Sequence, residues 1–271
     1  MESRSLDPAE AQFETYLSER AIAGGDDHHP DLGGDKKPDY RISRGTSAAI
    51  VEVKGFETSR LHNRLSESTG GGVLSDDDVF GTARNKIKKA TRQLRPYAGR
   101  GEALIVALAN PRRLYTPTEV AQETIATLHG NPAFVVPIST KSGEAVAKGE
   151  SILDQDGVFG GGLHRHVSAV VTLHERTYAS DAVERWHDEN SHRWEHVEDR
   201  QERIVTYLQH RDDALATAEA TPGTYCFVRV FETVSAVEGK DAVPVPRGLF
   251  DGPHDELWTV DLATGRIRQE R

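Results

Sequence analysis

Asp39, Glu52 and Lys54 are the residues whose types and spacing could do chemistry. Pro38-Asp39-Tyr40-Arg41-Ile42 and the segment from Ala48 to Phe56 both read as extended chain, and Arg44-Gly45-Thr46-Ser47 reads as a hairpin turn between them. Setting Arg44 opposite Ser47 pairs residue i with residue 91 − i, which puts Asp39 directly across from Glu52. Opposed side chains in an antiparallel pair have Cβ atoms about 4.5–5.5 Å apart. Lys54 lies two residues past Glu52 and so shares its face, while Val51 and Val53 take the other face. Two carboxylates this close repel, and one protonates unless a cation sits between them. A hard divalent cation such as Mg²⁺ accepts oxygen ligands and keeps several waters. One such water, held by a lysine, is a nucleophile suited to a phosphodiester.

The elements that must position these groups follow in order along the chain. Asp7-Pro8-Ala9-Glu10 is a helix start with a capping Asp, a first-turn Pro and a capping-box Glu. Phe13, Tyr16, Leu17, Ala21 and Ile22 recur at helical spacing, and Gly24-Gly25 closes that helix. Residues 57–80 read as a long loop holding Gly70-Gly71-Gly72 and Asp76-Asp77-Asp78. A helix is expected over Arg84 to Tyr97, and a buried strand over the wholly apolar run Ala103 to Ala109. Thr116-Pro117 starts a helix ending near Gly130, and Ala133 to Ile138 reads as a strand. A Gly-rich loop over residues 149–162 precedes a strand from Val167 to Leu173. Asp181 to about Ala220 is one long charged helical stretch, broken by Thr221-Pro222-Gly223. Strands at Tyr225 to Thr233 and Leu257 to Leu262 complete a mixed α/β pattern.

Pro38-Asp39, twelve intervening residues and Glu52-Val53-Lys54 together resemble the signature of the PD-(D/E)XK nuclease superfamily, the restriction-endonuclease-like and RecB-type enzymes. The resemblance covers roughly residues 7–110. It implies an α/β fold with an αβββαβ core, its mixed central sheet flanked by helices, and here a C-terminal α+β extension. It further implies that Asp39 and Glu52 bind Mg²⁺ (or Mn²⁺), that the Val53 carbonyl adds a ligand, and that Lys54 is catalytic. The first helix of the family often supplies an acid, for which Glu14 is the best match and Glu10 and Glu19 compete. Gln93-Leu94-Arg95-Pro96-Tyr97 resembles the Q-x-x-x-Y motif of RecB-type members, which places Gln93 and Tyr97 near the substrate backbone. One departure is visible: no clear strand separates the first helix from Pro38, where the family has one. The implied division is a nuclease-like domain over 1–175 and an extension over 176–271.

The basic residues Arg84, Lys86, Lys88, Lys89, Arg92, Arg95 and Arg100 stand in a stretch with no acid from 84 to 100, the footprint expected of phosphate contacts. That local run matters because the whole chain of 271 residues is acidic, with a net charge of −10. Whole-chain charge governs solubility and non-specific attraction, not what one face binds. The expectation is a Mg²⁺-dependent deoxyribonuclease with weak, salt-sensitive DNA affinity, in a restriction, phage-defence or repair setting, working as a homodimer or with a partner subunit.

Three further features bound the reading. The lone Cys226 excludes an internal disulfide framework and a Cys-rich zinc module. No apolar run approaches the roughly 20 residues that cross a bilayer, and Met1-Glu2-Ser3-Arg4 leads into an acidic helix, so the expected location is the cytoplasm away from membranes. His192-Arg193-Trp194-Glu195-His196 matches the H-x-x-E-H zinc motif of inverted zincins, a rival reading as a metalloprotease using His192, Glu195 and His196. A second rival is a nuclease-fold subunit that binds DNA without cutting it.

Overall fold

The computed structural model of the chain describes residues 7–24, 29–33, 37–59, 63, 75–130, 132–135, 150–153, 157–159, 163–220, 222–262 and 266–270. Within them the protein is α/β, built on a seven-stranded mixed sheet flanked by helices. Helix α1 (Pro8–Glu19) is followed by β1 (Tyr40–Arg44) and β2 (Ser47–Gly55). Next come α2 (Asp76–Leu94), β3 (Ala103–Ala109) and α3 (Ala121–His129). Strands β4 (Pro132–Val135) and β5 (Glu150–Leu153) form a separate antiparallel pair. The rest is β6 (Ala169–Thr177), α4 (Tyr178–Asn190), α5 (Arg200–Glu219), β7 (Thr224–Glu232), a short α6 (Val234–Glu238), β8 (Glu256–Asp261) and β9 (Arg266–Gln269). The sheet order is β1-β2-β3-β6-β7-β8-β9. The β2–β3, β3–β6 and β7–β8 pairs are parallel, and β1–β2 and β8–β9 are antiparallel.

The hairpin register follows the expected pairing, with Tyr40 opposite Val51 and Arg44 opposite Ser47. Gly45 takes φ +60° in the turn, a conformation that most side chains resist. Strand β2 is buried along its middle because it packs between α1 and α2. On the α2 side, Ile50, Leu104, Val106 and Leu108 pack with Ala83, Ile87, Ala90 and Leu94. At the end of β2 the backbone meets α1 closely: a Cβ on Gly55 would lie 2.7 Å from the Ala9 Cβ. Glycine at this position lets α1 approach the end of β2 closely.

Between α1 and Pro38 the described residues form one isolated bridge. Ala23 pairs with Ser43 on the outer edge of β1, beside a Gly24 whose Cβ would strike the Arg41 carbonyl. Helix α1 itself ends at Glu19, earlier than the apolar spacing suggests.

Several boundaries differ from expectation. Helix α2 begins at Asp76, eight residues before Arg84, because Ser75 and Asp78 form a capping box and the acidic run is its first turn. It ends at Leu94, and a 3-10 turn over Arg95–Tyr97 carries the chain past Pro96. The expected Gly-rich loop contains strand β5. The long charged helix is two helices joined by a 3-10 turn at Ser191–Arg193. Gly25, Gly70-Gly71-Gly72, residues 136–138 and Thr221 lie outside the described residues.

Compactness divides the chain differently from a cut at 175/176. One unit joins Met1–His174 with Val228–Arg271, because β7, β8 and β9 extend the main sheet. The other is Glu175–Phe227, the helical hairpin. Within the first unit, Asp255 is a node: its carboxylate accepts from the Tyr16 hydroxyl at 2.8 Å, the Gly252 N–H at 2.8 Å and the Val228 N–H at 3.1 Å. The Leu249–Glu256 turn, which has no chemical reading in the sequence, thus ties the last strands to α1.

Candidate functional site

Glu52 is fully buried, on the same face of β2 as Ile50 and so beneath α2. Asp39 is 8% exposed, and its Oδ2 accepts the Val53 N–H at 2.8 Å. Lys54 contacts Glu52 Oε1, and its Nζ lies 3.8 Å from Asp39 Oδ2. Asp39, Glu52 and Lys54 are therefore one cluster. Val53 enters it through its amide, which fixes the Asp39 carboxylate.

Burial first, and then the negative charge of Asp39, push the Glu52 carboxyl up to about 7, against the pull of Lys54. Glu52 Oε2 is buried and accepts no hydrogen bond. An acceptor left this way is costly, by about 1–3 kcal/mol or more for a charged group, and a bound cation would offset that cost. Mg²⁺ needs only one or two protein carboxylates and fills its remaining positions with water. The donor set present here, two carboxylates with one oxygen unpartnered, fits that demand. Among the described residues, however, no group of three His, Cys, Asp or Glu side chains forms a ready-made cage.

Glu14 is accordingly not a third carboxylate of the cluster. Its Oε1 accepts the Tyr40 hydroxyl at 2.9 Å. The periodicity of α1 could not separate an acid facing Asp39 and Glu52 from one facing Tyr40.

Helix α2 brings part of the basic run to the same region. A cleft of about 770 Å³ is lined by His29, Lys37, Lys89, Arg92 and Gln93. His29 connects the cleft to the acidic pair, with Nδ1 3.9 Å from Asp39 Oδ1 and its backbone N–H donating to the Asp39 carbonyl at 2.8 Å. Gln93 presents a buried Oε1 that accepts no hydrogen bond. His29 and Lys37 are not singled out by the sequence, although their place in the polar loop just before Pro38-Asp39 was the available signal.

Other expected contacts go elsewhere. Tyr97 is buried, with the Arg100 guanidinium 5.0 Å from its ring centroid, so it packs the end of α2 and does not line the cleft. Burial raises its hydroxyl pKa, partly offset by Arg100 and reinforced by the charge of Glu52. Arg84 sits 5.2 Å over the Phe80 ring. Lys88 and Arg92 add positive charge near His164, whose Nδ1 is 3.1 Å from the Thr91 hydroxyl. Lys86 is half-buried on α2 and is not among the residues lining the cleft.

The zinc-protease motif does not assemble. His192 lies in a 3-10 turn and Glu195 and His196 in the turn after it, all exposed, so the two histidines do not share an α-helical face. His196 Nδ1 lies 2.8 Å from the His192 carbonyl oxygen. No described helix is long and apolar enough to cross a membrane.

Comparison with known proteins finds no matching family, no matching curated protein and no matching solved structure.

Proposed function

We propose that the protein is a metal-dependent nuclease of the PD-(D/E)XK type, hydrolysing phosphodiester bonds in DNA. The observation that carries this is the buried Asp39–Glu52–Lys54 cluster with an unpartnered Glu52 oxygen, linked through His29 to a cleft lined by Lys37, Lys89 and Arg92. Asp39 and Glu52 would hold the cation. Mg²⁺, when bound, supplies Lewis acidity that lowers the pKa of a coordinated water and offsets charge on the phosphate. Lys54 hydrogen-bonds the attacking water and stabilises charge as the oxygen bonds to phosphorus and the ester bond to the leaving sugar breaks. Lys37, Lys89 and Arg92 neutralise flanking phosphates and set the strand's path. The restriction-endonuclease-like core is part of the same proposal, supported by the order α1-β1-β2-α2-β3 and the hairpin register.

Plasmid and single-stranded DNA should be cut with Mg²⁺ or Mn²⁺ and spared with EDTA. Lys54→Ala should lower the rate by about 100-fold or more, with circular dichroism unchanged. Metal-dependent cutting that survives Lys54→Ala sinks the assignment.

A second reading has one observation in its favour. Lys54 already contacts both carboxylates, so a cation is present in the pair without any metal. A DNA-binding subunit that does not cut would use the basic cleft alone. DNA binding with no cleavage under any divalent metal selects it.

A further inference from the structure

The basic face of α2 continues past the cleft to two histidines that the proposed function leaves unused. At about 100° per residue, Thr91, Lys88, Arg92, Lys89 and Gln93 follow one another in that order around the helix. Arg92, Lys89 and Gln93 line the cleft. Thr91, at the other end of the series, meets His164 and His166 on the segment before β6. No acid stands between residues 84 and 100, so no carboxylate from this part of α2 interrupts the strip.

Both rings are pinned through Thr91. The Thr91 hydroxyl donates to the Lys88 carbonyl at 3.0 Å. Its one proton is committed there, so at 3.1 Å it accepts from His164 Nδ1–H. The Thr91 carbonyl can only accept, so His166 Nε2–H donates to it at 2.9 Å. Each neutral ring keeps one acceptor nitrogen, Nε2 on His164 and Nδ1 on His166, and neither has a hydrogen-bond partner among the described residues. Protonation turns each of these nitrogens into a second donor.

The charges around His164 say which ligand suits it. Burial holds its pKa below the ordinary value, and the positive charges of His166, Lys88 and Arg92 add to that effect. Arg165, between the two histidines, is paired with Asp241 at 3.4 Å. On another side the Phe159 ring meets His164 edge-on at 6.3 Å, with His129 buried behind it. A metal ion would be repelled by this field. An anion relieves it and stabilises the protonated ring.

We infer that His164 and His166, with Lys88 and Arg92, form a second phosphate-binding station that continues the strand's path beyond the cleft and grips the nucleic-acid backbone more tightly as pH falls. A phosphate held there accepts from the protonated rings and from Lys88, while Arg92 serves both stations. The inference rests on the proposed function for the identity of the strand, but it does not require that the strand be cut.

The test is fluorescence anisotropy of a labelled single-stranded oligonucleotide with the full chain in EDTA, from about pH 8 to about pH 5. Affinity should rise by about tenfold as pH falls through the histidine range, because protonation adds charge-assisted hydrogen bonds. His164→Asn keeps a side chain that tolerates the φ of +55° at this position but cannot titrate, and it should lose most of that rise. His166→Gln should lose a smaller part. His29, which also lines the cleft, is present in every chain, so its titration cancels from the comparison. In the wild type, the His164 ring resonance followed by NMR should titrate at higher pH with the oligonucleotide than without it. Binding whose pH dependence is the same in wild type and His164→Asn overturns the inference, even in a chain that cuts DNA. So does a His164 resonance that orthophosphate moves and the oligonucleotide does not, which marks a free-anion site. Absence of binding at every pH overturns this inference and the proposed function together. The expected pH response without cleavage under any divalent metal upholds the station and sinks only the nuclease.

Discussion

The same unit holds two charged clusters, one buried and one half open to solvent, and they are resolved in opposite ways. One is Asp39, Glu52 and Lys54. The other joins Asn110, just after β3, with Glu119, Thr172, His174, Arg229 and Glu256. In the second cluster every carboxylate is provided for. Glu119 Oε1 accepts from Asn110 at 2.7 Å, and its Oε2 lies 3.7 Å from His174 Nδ1. Thr172 and His174 share a hydrogen bond of 2.7 Å, and Glu256 accepts from both Arg229 and Trp258. Burial pushes Glu119 up, but the hydrogen bonds from His174 and Asn110 outweigh it, and its carboxyl is held below the ordinary value. Glu52 has moved the other way and keeps an unpartnered oxygen. Both Glu119 oxygens have partners, whereas Glu52 keeps one oxygen that accepts no hydrogen bond.

The sharpest way to break this contrast is to neutralise one carboxylate from each cluster. Glu52→Gln should abolish metal-dependent cleavage, a loss of about 100-fold or more, without lowering thermal stability. Glu119→Gln, at a half-exposed side chain, should keep cleavage and cost no more than about 1 kcal/mol in urea unfolding. An exchange of those phenotypes would reverse the assignment of site and scaffold.

Acid titration offers a smaller, graded effect. The Glu52 carboxyl in the folded protein lies above its ordinary 4.5, so folding favours its protonated form. That contribution is complete below about pH 4.5 and is lost as pH rises through about 7. Glu119 is depressed, so its contribution is present above its ordinary range and is lost as acid protonates it. Metal-free protein should therefore lose stability between pH 5 and 8 relative to Glu52→Gln. Added Mg²⁺ should restore Tm above pH 7 in the wild type and not in Glu52→Gln. Differential scanning fluorimetry across pH checks both.

The mildest perturbation lies in the cleft. Lys89→Ala and Arg92→Ala should each weaken DNA binding and reduce the slope of log affinity against log salt by about 1. Lys86→Ala, outside the cleft lining, should change that slope less. Fluorescence anisotropy at several salt concentrations separates them.

The hairpin was legible in the sequence because one local feature, a four-residue turn, sets a register that propagates by strict alternation. Asp39 meets Glu52 for that reason, and no long-range information is needed. Residues whose role depends on a distant surface were not legible. Glu14 and Tyr97 satisfy helix spacing under several roles, and only tertiary packing sends Glu14 to Tyr40 and buries Tyr97 under Arg100. The triple Asp at 76–78 reads as loop by composition. Ser75 turns it into a helix start by a capping box whose partner is itself one of those acids. The return of β7, β8 and β9 to the main sheet is non-local pairing that no stretch of sequence encodes by itself.

The bond between Tyr16 and Asp255 spans 239 residues. A contact this distant is closed late, since most of the intervening chain must exist before the ends can meet. On the ribosome, α1 would emerge well before Asp255, the carboxylate that accepts from its Tyr16 hydroxyl. Gly55 then holds α1 against the strand that carries Lys54. The cluster that could cut DNA thus reaches its final packing only after the last strands of the sheet have been synthesised, and a fragment ending before Asp255 would carry the motif without the fastening that seats it.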